Sequence, residues 1–168
     1  ALRYALATAQ PDAYTHDLAM SLSNLASSLS SLGRRGEALA VARQAVNLYS
    51  DLTETQPDAF TPALAASLNN LVGFLSALGQ REDALIVAQQ AIDLYDNLVT
   101  IQPDAFMPDF TISLNNLANI LSELGQQKEA LAVALKAVKL CHPLAAARPD
   151  AFTSGFAQLL NTQANILS

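Results

Sequence analysis

Hydrophobic residues return along this chain at every third or fourth position, interrupted at intervals by glycine and by a proline–aspartate pair. Between Leu64 and Leu78 the stripe is Leu64, Leu68, Leu71, Leu75 and Leu78, the spacing of one face of a helix. A second stripe follows a short polar turn: Ala84, Leu85, Ala88, Ala91, Ile92, Tyr95 and Leu98. Two amphipathic helices are predicted, joined by a link short enough to make them antiparallel neighbours. Gly33, Gly79 and Gly125 each close a first stripe, where glycine supplies the left-handed backbone that a helix C-terminus often takes. Thr61 then Pro62 reads as a start, a hydroxyl N-cap before proline at the first helical position. Thr15 and Thr153 hold the same place, whereas Met107 leaves its helix without that cap. The second helix is expected to stop at the next Pro-Asp pair, because proline disfavours helix in the residue before it. Small Ala38, Ala84 and Ala130 predict tightly closed hairpins.

The pattern is an internal repeat. Gln-Pro-Asp-Ala-Tyr/Phe begins at Gln10, Gln56 and Gln102, and Arg-Pro-Asp-Ala-Phe at Arg148, a constant period of 46. Residues 57–102 and 103–148 agree at 22 of 46 positions, far beyond chance. The expected organisation is one array over 1–168: the end of a preceding second helix (1–10), repeats at 11–56, 57–102 and 103–148, and a further first helix at 149–168. The fold class is all-α, a solenoid of antiparallel helical hairpins. An array that opens in a second helix and closes in a first one leaves apolar stacking faces uncapped. It is therefore expected to be a segment of a larger protein and to associate head to tail through its ends. One position breaks the pattern: Pro143 stands where the first two repeats have Asp51 and Asn97. An interior proline costs roughly 3 kcal/mol, so the helix is expected to kink or restart there, as a tolerated irregularity or as a hinge.

Composition narrows the function. The chain is 51% hydrophobic and poor in glycine, with Ala and Leu dominant, which favours helix over strand. A formal charge of −6 and a pI near 4.6 argue against nucleic acid as a partner. Cys141 is the only cysteine, which rules out an intramolecular disulfide. With no N-x-S/T sequon and no signal peptide at its start, the chain reads as cytoplasmic. The uncharged stretch from Ala59 to Gln80 is long enough for a membrane span. Pro62, the Asn69–Asn70 pair and the leucine stripe make it a buried helix instead, and no membrane partner is expected.

The order Leu-x-x-Leu-Ala-x-x-Leu-x-x-Leu-Gly, then Glu/Asp-Ala-Leu and Ala-Val/Ile, resembles the tetratricopeptide repeat signature. In the first repeat it is carried by Leu22, Leu25, Ala26, Leu29, Leu32, Gly33, Glu37, Ala38, Leu39, Ala45 and Val46. The usual repeat has about 34 residues, so each unit here carries about three extra helical turns, placed around the Pro-Asp turn. Leu-Asn-Asn-Leu at 68–71 and 114–117, with the Pro-Asp turn, is similar to the long-period repeats of kinesin light chains. It is also similar to repeat arrays of large fungal and bacterial signalling proteins with nucleotide-binding switch modules. The first repeat has Leu-Ser-Asn-Leu, the fourth Leu-Asn-Thr-Gln. The resemblance implies a right-handed superhelix whose concave face is lined by the first helices. It also implies a non-enzymatic scaffold that binds a protein or peptide.

Charge placement agrees with a special role for those helices. Residues 18–32, 64–78 and 153–168 contain no charge, and 110–124 contains only Glu123. A face left to bulk water normally carries charge, so neighbours or a partner should cover these helices. Their polar groups fall in rows: Ser23, Asn69, Asn115 and Asn161; then Asn24, Asn70, Asn116 and Thr162; then Ser27, Gly73, Asn119 and Asn165. An asparagine both donates and accepts, so a ladder of them can pair with the backbone of an extended peptide. The same amides can instead bond backbone or one another between hairpins. No basic residue lies in the first helices, so the carboxylate clamp of some family members is absent, and a neutral groove should respond weakly to salt. The alternative function is an architectural spacer or self-assembling segment with no ligand of its own.

Nothing assembles an active site: there is no phosphate-binding glycine loop, metal-ligand spacing or nucleophile motif, and no cofactor is expected. His16, in a turn, and His142, near Pro143, read as solvated surface residues. Cys141 replaces Tyr49 and Tyr95 and reads as packing. Asp93 with Lys139, and Asp96 with His142, hold equivalent positions and could pair between repeats, each exposed pair adding only ~0–1 kcal/mol.

Overall fold

The computed structural model describes the backbone of residues 11–147 and the side-chain surroundings of residues 14–142. The described residues form six helices of 21 residues each: α1 (Pro11–Ser31), α2 (Arg35–Thr55), α3 (Pro57–Ala77), α4 (Arg81–Ile101), α5 (Pro103–Glu123) and α6 (Gln127–Ala147). At ~1.5 Å per residue each is about 30 Å long. The extra turns of the 46-residue period have gone into these helices. Each helix packs on the next within two compact units, unit 1 (Ala1–Gln80) and unit 2 (Arg81–Ser168). The class is the all-α solenoid of tetratricopeptide type.

Two kinds of joint alternate. After each first helix, glycine takes positive φ: 76° at Gly33, 72° at Gly79 and 77° at Gly125. At the first of these, Gly33 N–H donates to Ser30 O (2.9 Å) and Arg34 N–H to Leu29 O (2.9 Å). This paired closure satisfies carbonyls that the helix end would orphan, and it recurs around Gly79 and Gly125. After each second helix the joint is a single residue. Gln56 (φ −139°, ψ 71°) ends α2 with its N–H on Leu52 O and opens α3 with its carbonyl accepting from Ala59 and Phe60. Gln102 does the same between α4 and α5. Proline at the next position excludes helical backbone at the glutamine while its own fixed φ begins the new helix. Asp58 and Asp104 then lie in the first turn, where the helix dipole favours an anion.

This corrects the expected start at Thr61–Pro62. The helices begin at Pro11, Pro57 and Pro103, and Thr15 and Thr61 lie inside them; Thr153 is outside the described residues. Thr61 caps nothing: its hydroxyl donates to Pro57 O at 2.7 Å. Pro62 and Pro108 sit in the second turn, where each forgoes one intrahelical bond. Met107 likewise lies inside its helix, which begins at Pro103, and is a core residue, 8% exposed. Pro143 does not make α6 restart, since the helix runs on to Ala147. Only one turn remains beyond it, so the lost bond falls where the helix is ending.

The core is built from leucine on first helices and alanine on second ones. Leu22, Leu29, Leu68, Leu75, Leu114 and Leu121 are buried, as are the alanine runs Ala38–Ala42–Ala45, Ala84–Ala88–Ala91 and Ala130–Ala134–Ala137. Alanine at i, i+4 and i+7 lets the partner helix approach closely, so each leucine is fully covered, worth roughly 1.5–3 kcal/mol apiece. In unit 1, Leu18 and Leu22 of α1 pack on Ala45 of α2, with Val41 and Leu48 at the margin. Ala19, Tyr49 and Leu52 form a second cluster that reaches Phe60, Ala63 and Leu64 of α3.

Candidate protein-interaction surface

The first helices present one exposed face each, at i, i+4, i+7 and i+11. On α1 it carries Met20, Asn24, Ser27 and Ser31; on α3, Ala66, Asn70, Gly73 and Ala77; on α5, Ile112, Asn116, Asn119 and Glu123. All are exposed except Asn116, which is half-buried. α1 and α3 belong to unit 1 and α5 to unit 2. The only charge on these faces is Glu123, whose carboxylate accepts from Arg81 Nε at 2.8 Å. The expected absence of charge therefore holds on the open side of the helix.

The three amide rows separate by depth. Asn24 and Asn70 are exposed, whereas Ser23, Asn69 and Asn115 are half-buried. The Oδ1 of Asn115 is enclosed without a hydrogen-bond partner. The third row, Ser27, Gly73 and Asn119, is exposed. A Cβ added at Gly73 would meet no atom within 4 Å. A glycine at mid-helix costs about 0.5–1 kcal/mol relative to alanine, and no close packing here requires it. Asn161, Thr162 and Asn165 lie outside the described residues.

The serines of α1 are chemically unlike the asparagines of α3 and α5. Ser23 donates to Ala19 O (3.1 Å), Ser27 to Ser23 O (3.1 Å), Ser28 to Asn24 O (3.0 Å) and Ser31 to Ser27 O (3.0 Å). Each hydroxyl proton is spent on its own helix, so these serines offer a ligand only acceptors. Asparagines keep two amide protons as well as an acceptor. The sequence reading missed Met20 and Ile112, 44% exposed apolar residues one turn before the outer amide row. The signal was available, since both fall on the face that Asn24 and Asn116 define.

Other singled-out residues resolve differently. His16 is not a solvated turn residue: it lies within α1, half-buried, its ring 5.8 Å from Tyr49 and 5.4 Å from Phe60. Its Nδ1 is enclosed without a partner. The period puts His16 where later repeats have Pro62 and Pro108, near the joint with α3, and that joint buries it. His142 is exposed. Cys141 is 1% exposed and lies 2.7 Å from Thr111 Oγ1. Burial raises its thiol pKa, which keeps the unreactive protonated form. Asp93 accepts from Gln89 of its own helix at 2.9 Å; the pair that does join two repeats is Arg81–Glu123. Among the described residues no cluster could hold a metal ion, and no helix is long and apolar enough to cross a membrane.

Stacked helical hairpins with an open, uncharged first-helix face define a helical-repeat protein. The tetratricopeptide repeat model matches residues 18–52, 64–99 and 112–142, more than half the chain. The chain belongs to that family, whose members generally serve protein–protein interaction or scaffolding and are generally not catalytic. Among solved structures it is similar to BtubC (BKLC) from P. vanneervenii, with a TM-score of 0.70 and 18% identity. The match covers 98% of this chain but only 59% of that one, and at this identity it shows the fold alone. No curated protein matches the chain.

Proposed function

We propose that the chain is a non-enzymatic scaffold that binds an extended peptide or a helix along the exposed face of its first helices. The observation that carries this reading is the face itself: Asn24, Asn70 and Asn119 are exposed with no side-chain charge of their own, and Gly73 leaves open space in the helix middle. In unit 1 Asn24 and Asn70 can donate and accept, with Met20 offering apolar contact one turn before Asn24; in unit 2 Asn116 and Asn119 can do so, with Ile112 one turn before Asn116. Such a surface would read peptide backbone with little help from charge. The half-buried row, Ser23, Asn69 and Asn115, then serves packing and register more than contact.

Selection of extended peptides from a random display library on the full chain tests this. Selected peptides should bind almost independently of salt. Asn24→Ala with Asn70→Ala should weaken them at an unchanged melting temperature, and Gly73→Ala should weaken them while raising that temperature. Failure to enrich any peptide, or steep loss of affinity with salt, would sink the proposal. The competing reading is a spacer or end-to-end array in which the amides only hold register. Its support is the self-bonded serines of α1 and the enclosed Asn115; it predicts that Asn69→Ala and Asn115→Ala lower the melting temperature with no partner present.

A further inference from the structure

The second helices of unit 2 carry outward faces of opposite charge at matching positions. On α4, Glu82, Ile86, Gln89, Asp93 and Asp96 recur at i, i+4, i+7, i+11 and i+14, all exposed. At the equivalent places on α6 stand Lys128, Ala132, Leu135, Lys139 and His142, also exposed. Each acid of this α4 face thus has a base at its own register on α6, while Asp83 and Glu129, equivalent positions beside the two faces, are both acidic. Ile86 is 60% and Leu135 47% exposed, less than one turn apart in register near the middle of the two faces. The ion pair that α4 does form, Arg81 with Glu123, leaves these positions untouched. Lys128 and Lys139 make no ion pair among the described residues. Lys136 lies off the face, its Nζ 5.6 Å from the centre of the Phe110 ring.

We propose that this face binds a second copy of the chain, α4 of one copy lying on α6 of the other. Both helices run antiparallel to α5 and hence parallel to each other. A two-fold axis running between them, parallel to their length, exchanges the helices while preserving height. Glu82 then meets Lys128 of the second copy, Asp93 meets Lys139 and Asp96 meets His142, and symmetry makes each pairing twice. A two-fold axis across the helices would set α4 on α4, acid against acid. Ile86 and Leu135 form the apolar centre inside a charged rim, the usual anatomy of an interface. Charge pairs at a rim choose orientation and partner more than they add affinity, and salt screens them. This face is separate from the first-helix face, so the two proposals stand or fall independently.

Sedimentation velocity on the full chain, at low and at high ionic strength, tests the proposal. Dimerisation is expected at low salt and should weaken about tenfold or more at high salt. Lys128→Glu with Lys139→Glu, and separately Glu82→Lys with Asp93→Lys, should each give a helical monomer, because both faces then carry one sign. An equimolar mixture of the two variants should dimerise again, since one α4–α6 contact of the mixed dimer then pairs with its native signs and the other with the signs at 82/128 and 93/139 reversed. A wild-type chain that stays monomeric, variants that associate as well as the wild type, or a mixture that remains monomeric would each overturn it.

Discussion

Where α2 places Tyr49, α6 places Cys141, and the helix each packs against has changed in the opposite sense. In unit 1 the tyrosine lies against Ala19, with Leu18 beside it in sequence; in unit 2 the cysteine lies against Thr111, with Phe110 beside it. All six are at least 95% covered. Core volume lost on one helix of the hairpin has been returned on the other, so the compensation is local to a hairpin. The hydrogen bonding follows. Thr111 donates its hydroxyl proton to Met107 O at 2.8 Å, which leaves its oxygen to accept from the Cys141 thiol. Tyr49 spreads further: its ring lies beside His16 of α1, whose ring lies beside Phe60 of α3, and its cluster with Ala19 and Leu52 is packed by Phe60, Ala63 and Leu64, so it ties α1, α2 and α3 together. Cys141 has no such reach and serves its own hairpin. A repeat protein can thus hold its backbone period while exchanging side chains in pairs.

The difference can be broken hardest at Tyr49. Tyr49→Ala should cost about 3–5 kcal/mol in urea denaturation, because the cavity opens among three helices. Cys141→Ala should cost only about 1 kcal/mol, since Thr111 keeps its bond to Met107 O and nothing polar is orphaned. Equal losses would mean that the two positions do the same job. Next in size is an exchange of the two solutions. Cys141→Tyr alone overpacks the hairpin, at about 1–3 kcal/mol. Adding Phe110→Leu and Thr111→Ala rebuilds the unit 1 arrangement and should recover most of that loss. Strict additivity of the three changes would contradict the idea of compensation within the hairpin.

A pH titration sharpens the contrast with a smaller effect. Burial raises the pKa of both Cys141 and Tyr49, so each holds its proton more firmly when folded. Their contribution to stability is complete below the unfolded-state pKa and is lost as pH rises through it towards the folded value. The cysteine's loss should begin near pH ~8.5 and the tyrosine's near ~10. Cys141→Ser should therefore remove the earlier limb of a melting-temperature profile and leave the later one. The smallest effect concerns the joints. Beside the glycine joints, Arg81 at the start of α4 pairs with Glu123 at the end of α5 in unit 2, while the equivalent Arg35 in unit 1 stands at the register of Ala77. Glu123→Ala should cost, and Ala77→Glu gain, no more than about 1 kcal/mol, because the groups are half exposed.

Much of the architecture was legible because it depends on neighbours along the chain. The leucine stripes, the glycine stops and the extended residue before Pro-Asp follow from short-range backbone sterics, and the structure keeps them among the described residues. The misplaced helix start came from reading Thr61–Pro62 as a cap when Pro57, with Asp58 after it, was already a better one. A lone histidine near a turn is usually solvated; only the approach of Tyr49 and Phe60 from two other helices buries His16. The amide ladder was visible as a pattern, yet its rows looked equivalent. Consecutive residues of a helix point about 100° apart, so the way each helix is turned on its neighbours put Asn69 and Asn115 partly inside and left Asn24 and Asn70 out.

The sequence by itself determined that this protein is an array of paired helices with a 46-residue period, where each helix ends, and that the stretches 18–32 and 64–78 of its first helices are uncharged. Period, glycine and proline act through the local chain, so their consequences can be read one residue after another. The tertiary structure alone decided which side of each helix remains open, which tyrosine joins three helices, and how Thr111 answers Cys141. Those outcomes depend on how far each helix turns towards its neighbours, and that rotation is set by the summed packing of side chains distant in the sequence.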